Sequence, residues 1–357
     1  MWEHSEAMDG FGVISPAPRA IWDEVFAADP HALPSQSPQW MHAICDGAPW
    51  RDASRCYTTE SGRRAILPLA SVGSAGTIAY ASPRRGWGYG GLIAEGGVTP
   101  EDIAVASADV SRLRALKFHV RPNPLQAPMW EKFVPEMCRT RKEVHILDLT
   151  GGEEAVFDKL HKSAKKGIKT AERCGVRIES EPGDQLLGIF FELTYAARAQ
   201  WAGQQHEPVW LAQLRGRFRD SERKWKNIAK HFGSNLQVYV AWCDDRPAAA
   251  GIVLQGHNFH GARAAMDREV ANRSGATHAL NWAVIQDACA AGAASFHMGE
   301  SATKGAADFK RFLGAECVAF DEIDYERFPV SRANRATRSL VKKVVGFKGD
   351  DLNAAVS

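Results

Sequence analysis

The chain has 357 residues, 45% of them hydrophobic, with a formal net charge of +2. That length leaves room for two hydrophobic cores. The near-balanced charge excludes a molecule-wide polycation, so any contact with nucleic acid must come from local patches. Seven cysteines without a CxxC pair speak against a disulfide framework and a structural zinc site, and the expected compartment is the reducing cytoplasm. The first residues, MWEHSEAMDGFGVISP, show no basic region followed by an apolar run. No stretch reaches roughly 18 uninterrupted apolar residues, so neither a secretory signal nor stable membrane insertion is expected.

In chain order, residues 18–50 read as a helix, a Pro/Ser-rich loop (Pro34 to Pro38) and a second short helix. Strand-like runs follow at 54–60, 64–71 and 77–81, the second being the clearest. A Gly-aromatic loop runs from Arg84 to Gly91, then a helix over 101–114 and strands over 115–120 and 142–149. The pair Gly151-Gly152 marks a boundary. It separates a first domain, 1–150, from a second, 151–330, with a basic tail at 331–357.

Past the glycines, 153–174 reads as one helix ending at Gly175. Leu160, Ala164, Ile168 and Ala171 recur at spacings of three and four, and Lys162, Lys165, Lys166, Lys169 and Arg173 occupy the other face. This is a basic amphipathic helix. Helices follow at 187–202 and 208–232, the latter with the stripe Leu211, Leu214, Phe218, Trp225, Ile228 and Phe232 and a basic set that includes Arg215, Arg217 and Arg219. Next come a meander (236–242, a turn at Asp244 to Pro247, 248–255, 257–266), a helix at 276–291, a strand at 295–298, a helix at 305–313 and a strand at 316–323. Three strands, helix, strand, helix, strand is the order of a GNAT acyltransferase core. The first half repeats it loosely. The expected fold is α/β (mixed α+β), with two GNAT-like lobes, each a mixed sheet flanked by helices.

Several chemistries lack their signatures. The Gly86-x-Gly88-x-Gly90-Gly91 loop opens no helix, so it is not a dinucleotide fingerprint. It is either a structural turn or a loop on which Arg84, Trp87 and Tyr89 line a substrate channel. There is no Walker sequence and no HExxH, and the stretch after Gly299 fails the GxSxG pattern. His257 and His260 make no metal set. Between the third meander strand and the next helix, Arg273 and Gly275 either cradle an anion at the helix start or form a plain turn. The richest stretch is 299–315, a strand, a polar loop and a helix that carry Lys304, Lys310, Phe309 and Phe312. Composition alone reads these as surface lysines over aromatic anchors.

The pattern G-x-S … F-K-R-F-x-G-A there resembles the C-terminal part of FemABX-like peptidyltransferases, relatives with GNAT-type domains. Lys162 to Val176 resembles the family's basic helix, Phe190 to Arg198 its next helix, Leu280-Asn281-Trp282 its L-x-W, and Tyr89-Gly90-Gly91 a loop of its first lobe. The resemblance spans roughly residues 30–325. The sequence departs from the pattern in lacking a long heptad arm and in the polar loop before Phe309.

The resemblance implies transfer of an amino acid from aminoacyl-tRNA to the amine of a peptide acceptor, forming a peptide bond without ATP, metal or other cofactor. The acceptor is either a peptide natural product intermediate, as in antibiotic biosynthesis, possibly carried on a protein, or a nucleotide-linked peptidoglycan precursor. Lys310 is the first choice to offset charge on the reacting carbonyl and Lys304 the second, with Glu300 and Asp308 as nearby carboxylates. Arg198, Trp282, Phe309, Arg84, Trp87 and Tyr89 are candidate substrate contacts, and the α-helical lysines at 162, 165, 166 and 169 with Arg173 are candidate RNA contacts. One rival is an acyl-coenzyme A donor, with Arg273 and Gly275 on the pyrophosphate. The other is a non-catalytic RNA- or peptide-binding relative.

Overall fold

The computed structural model describes residues 11–74, 78–204 and 208–327, except the side chains at 201, 203, 204, 215 and 217–219. The basic tail, Thr77, and the side chains of Arg215, Arg217, Phe218 and Arg219 therefore lie outside the described residues. In chain order the elements are β1 (Phe11–Ile14), α1 (Arg19–Ala28), α2 (Pro38–Cys45), β2 (Trp50–Asp52), β3 (Arg55–Thr59), β4 (Arg64–Leu67), β5 (Ala70–Val72), β6 (Ala79–Ser82), β7 (Ile93–Ala94), α3 (Pro100–Ser111), β8 (Lys117–Val120), α4 (Ala127–Trp130) and β9 (Arg139–Asp148). Then come α5 (Gly152–Lys159), α6 (Lys162–Arg173), β10 (Arg177–Pro182), α7 (Leu187–Gln204), α8 (Val209–Arg219), α9 (Glu222–Phe232), β11 (Leu236–Cys243), β12 (Arg246–Leu254), β13 (Asn258–Met266), α10 (Arg268–Ser274), α11 (Ala276–Ala290), β14 (Ser295–Gly299), α12 (Lys304–Phe312) and β15 (Glu316–Glu326).

The described residues divide into two compact units, 11–143 with 318–327, and 144–317. The division falls inside β9, ahead of the glycine pair expected to mark it. Its early residues Arg139 and Arg141 reach Asp321 of β15 in the first unit, whereas Leu147 enters the second core. Gly151 and Gly152 instead start α5.

In the first unit, one sheet has the order β1-β3-β4-β7, and β15, β8, β6, β5 and β2 follow one another in a second. The expected strand 64–71 is two strands, β4 and β5, one in each of these sheets. Pro68 separates them, and proline has no N–H to give a ladder. Helix α3 starts on a capping box in which Thr99 Oγ1 accepts from Asp102 N. Leu67, Leu92, Ile103, Phe118 and Trp130 centre its core.

The second unit has the sheet order β10-β11-β12-β13-β14-β9. Asp244 and Asp245 both take positive φ in the β11–β12 turn, which the tight hairpin requires. Two helices expected as single are broken. Leu160 leaves helical conformation and is buried; His161 then caps α6, its Nδ1 accepting from Ser163 N at 3.2 Å while its ring stacks on Phe312 at 4.4 Å. Likewise 208–232 splits into α8 and α9 at Asp220, and Ser221 Oγ caps α9 by accepting from Lys224 N. Both breaks serve tertiary contacts that period alone does not show.

Candidate active site

In the second unit β13 and β14 run parallel, but only Asn258↔Ser295, Phe259↔Phe296 and His260↔His297 pair. Ser295 Oγ donates to Asn258 Oδ1 at 2.7 Å and clamps the closed end. Beyond His260 a bulge opposite Ile252 and Val253 carries β13 along β12 to Met266. β14 follows β9 instead, pairing His297 with Ile146 and Gly299 with His145. The two strands thus part into a fork. Such a place, at the carboxyl ends of parallel strands, is where backbone groups open toward a ligand.

Lys310, in the last turn of α12, stands at this fork. Its Nζ donates to the carbonyl oxygens of Gly299 at 2.9 Å and Glu300 at 2.7 Å. Burial pushes its pKa down to about 8, against the weaker pull of Glu300. An ammonium has three donors, so two hold the loop and a third can meet an oxyanion. Neighbouring Phe309 packs edge-on to His278 at 5.0 Å, and burial lowers the His278 pKa, favouring the neutral ring.

The other expected acid–base groups sit differently. Lys304 is 80% exposed and pairs with Asp308 at 2.7 Å. Its hydrogen bond, with that of Arg311, holds the Asp308 carboxyl below the usual range. These two form an outward surface pair, so the structure separates Lys304 from Lys310 although one helix carries both. Glu300 is exposed and contributes its carbonyl to Lys310.

Gly275 ends α10 and caps α11 with φ +74. A Cβ there would collide with the Gly167 carbonyl oxygen of α6, so glycine is required by conformation and by close helix approach. At this start of α11, Ala276 N donates to Ser274 Oγ at 3.3 Å, and His278 N and Ala279 N donate to Gly275 O. These N–H groups are thereby engaged within the protein rather than aimed at an anion. Arg273 is exposed on α10. Trp282 packs edge-on to Phe157 at 5.3 Å, and Lys165 lies over the same ring at 5.1 Å. Arg198 lies 5.9 Å from the Tyr195 ring centre, and the Gly216 backbone leaves no room for a Cβ beside its guanidinium, which makes it part of the α7–α8 contact.

Ala164, Ile168 and Ala171 of α6 are buried, and Lys162, Lys166, Lys169 and Arg173 are exposed. With Lys165 and Glu172 they line a shallow surface depression of about 670 Å³. In the first unit, the Gly-aromatic loop is packed against the ends of β6 and β8. Gly90 N donates to Arg121 O at 2.7 Å, and Gly91 N donates to Ser82 Oγ at 3.0 Å. Tyr89 is 2% exposed and Trp87 9%, which favours the structural-turn alternative for this loop over the substrate channel. Arg84, half-buried, lies over Trp50 and Trp87.

Sequence reasoning gave three groups no role in the site. His145 Nδ1 lies 3.4 Å from Ser301 Oγ. His297 and His260 are buried across the paired end of the fork. Asp220 pairs with Arg263 of β13 and, at 3.1 Å, with Lys224. Burial alone would raise its carboxyl, but the two cations outweigh burial and hold it low. Only strand register brings the histidines together. The polar residues amid apolar strand positions were the available signal.

Residues 158–311 match the family model described as acetyltransferase (GNAT) domain. The structure is similar to the crystal structure of FemX, with TM-score 0.60, 9% identity, 87% of this chain and 96% of that chain covered. The chain has the GNAT fold, which it shares with FemX. The GNAT fold also relates it to a conserved protein of unknown function from Bacteroides thetaiotaomicron, at TM-score 0.50 and 10% identity over 88% of this chain and 100% of that one. A tandem GNAT protein from the clavulanic acid biosynthesis pathway is similar at TM-score 0.46 and 12% identity, covering 88% of this chain and 98% of that one. No curated protein matches the sequence. The GNAT match and fold support an acyltransferase.

Proposed function

We propose that this protein transfers an amino acid from aminoacyl-tRNA to the amine of a peptide acceptor. Lys310 at the β13–β14 fork carries the reading: a partly desolvated cation fixed by two carbonyls. The acceptor nitrogen attacks the ester carbonyl carbon, and the third N–H of Lys310 faces the tetrahedral oxyanion. The C–O bond then breaks, the tRNA hydroxyl leaves with the proton given up by the amine, and a peptide bond remains. Ester activation makes ATP and a covalent nucleophile unnecessary. Exposed Lys162, Lys166, Lys169 and Arg173 supply a cationic stripe suited to a polyanion. The acceptor class is a peptide natural product intermediate or a nucleotide-linked cell-wall precursor.

An acyl-coenzyme A donor is the second reading, favoured by the acetyltransferase description of the matching family model. The engaged N–H groups at the start of α11 weigh against it. The test is retention of labelled aminoacyl-tRNAs and, separately, labelled acetyl-coenzyme A by the purified protein. Selective, salt-sensitive retention of one charged tRNA is expected; retention of the coenzyme alone overturns the proposal.

A further inference from the structure

Helix α8 turns small residues inward. Ala212 is buried, Gln213 Nε2 donates to Tyr195 O at 2.8 Å, and Gly216 meets Arg198 of α7. Its opposite side is apolar and open to solvent. Trp210 is 68% exposed, Leu214 45% and Leu211 40%. Among the described residues, no other element shows such a run of exposed large apolar side chains; the rest stand singly. The sequence VWLAQLRGRFR has three arginines and no acid.

We propose that this face of α8 docks the protein on an anionic lipid surface, as a peripheral interfacial helix. An outward apolar strip holding tryptophan, on a helix whose sequence has three arginines and no acid, is the pattern that sinks into the headgroup boundary while its cations meet lipid phosphates. The helix is far too short to span a bilayer, and among the described residues no helix is long and apolar enough to cross one. The alternatives fit the chemistry less well. Contact with RNA asks for charge without an outward apolar strip, which is what α6 offers, its apolar side being buried. A second copy docked through the same face would bring like charges together. The inference does not depend on which donor the enzyme uses.

The test is co-sedimentation of the full chain with phosphatidylglycerol/phosphatidylcholine vesicles and with phosphatidylcholine vesicles alone. Binding to the anionic vesicles is expected, weakening with salt. The double variant Trp210→Ser/Leu214→Ser should lower the partition coefficient about tenfold or more, with unchanged circular dichroism and oligomeric state. Arg215→Glu/Arg217→Glu should abolish the preference for anionic lipid and provides a second readout should the first variant misfold. Absence of wild-type binding overturns the proposal, as does binding that both variants retain. So does loss of tRNA retention, or of self-association, in the variants while vesicle binding persists.

Discussion

Among the described residues each unit shows one parallel strand pair, and the two pairs end differently. In the first unit β6 and β8 pair from Ala79↔Lys117 to Ser82↔Val120, and the chain then continues the contact. Arg121 N donates to Ser82 O, and Gly90 bridges to Pro122. A Cβ on Gly90 would collide with the Ser82 backbone. In the second unit β13 and β14 stop after three pairs and diverge around Lys310. The same strand arrangement is closed by a loop in one unit and left as a fork in the other. At the fork, the strand divergence leaves room for Lys310, a cation partly desolvated by burial.

The largest expected effect is at the fork. Lys310→Ala should slow amino-acid transfer about 100- to 1,000-fold in single-turnover assays while tRNA retention stays unchanged; loss of retention instead would make Lys310 a binding residue. Because the protonated amine acts, the wild-type rate should fall as pH rises through about 8, and Lys310→Arg should move that fall to higher pH. Stability has the opposite sign. Burial depresses the folded pKa, so the unfolded chain holds more protons between pH 8 and about 10.4. Wild type should therefore gain stability relative to Lys310→Met as pH rises through that window.

Next in size is the buried ion pair on β13. Asp220→Asn should cost about 3 kcal/mol of stability, read by chemical denaturation, since it removes the carboxylate charge that Arg263 and Lys224 share. The closed and open pairs can then be compared directly. Gly90→Ala should cost about 1–3 kcal/mol, because backbone must shift. Gly261→Ala meets only the edge of the Phe296 ring, at 3.3 Å, and should cost less than about 1 kcal/mol. Equal losses would show that the fork is packed as tightly as the closed pair.

The smallest effect belongs to Lys304→Ala. An exposed pair with Asp308 adds little to stability, and transfer should stay within about twofold of wild type. These two lysines show why the site was only partly legible. Lys310 stood on the helix read at 305–313 and Lys304 just before it, and which one meets the fork depends on how α12 lies on the sheet. Trp87 and Tyr89 stayed undecided for the same reason: a Gly-aromatic loop reads alike whether it is stitched to a strand end or open to a ligand. His297 gave little local sign, since strand register alone sets it opposite His260.

Local sequence physics determined the meander with its Asp244-Asp245 turn, the basic face and buried stripe of α6, and the strand–helix order of the second unit. Alternation, period and turn chemistry act over a few residues and need no partner. The tertiary structure decided the split of 64–71 at Pro68 between two sheets and the breaks at Leu160 and Asp220. It also set the division within β9, the exposed apolar face of α8 and the desolvation of Lys310. Each depends on what a residue meets across the fold: a strand edge, a buried ion pair, or two carbonyls from another element.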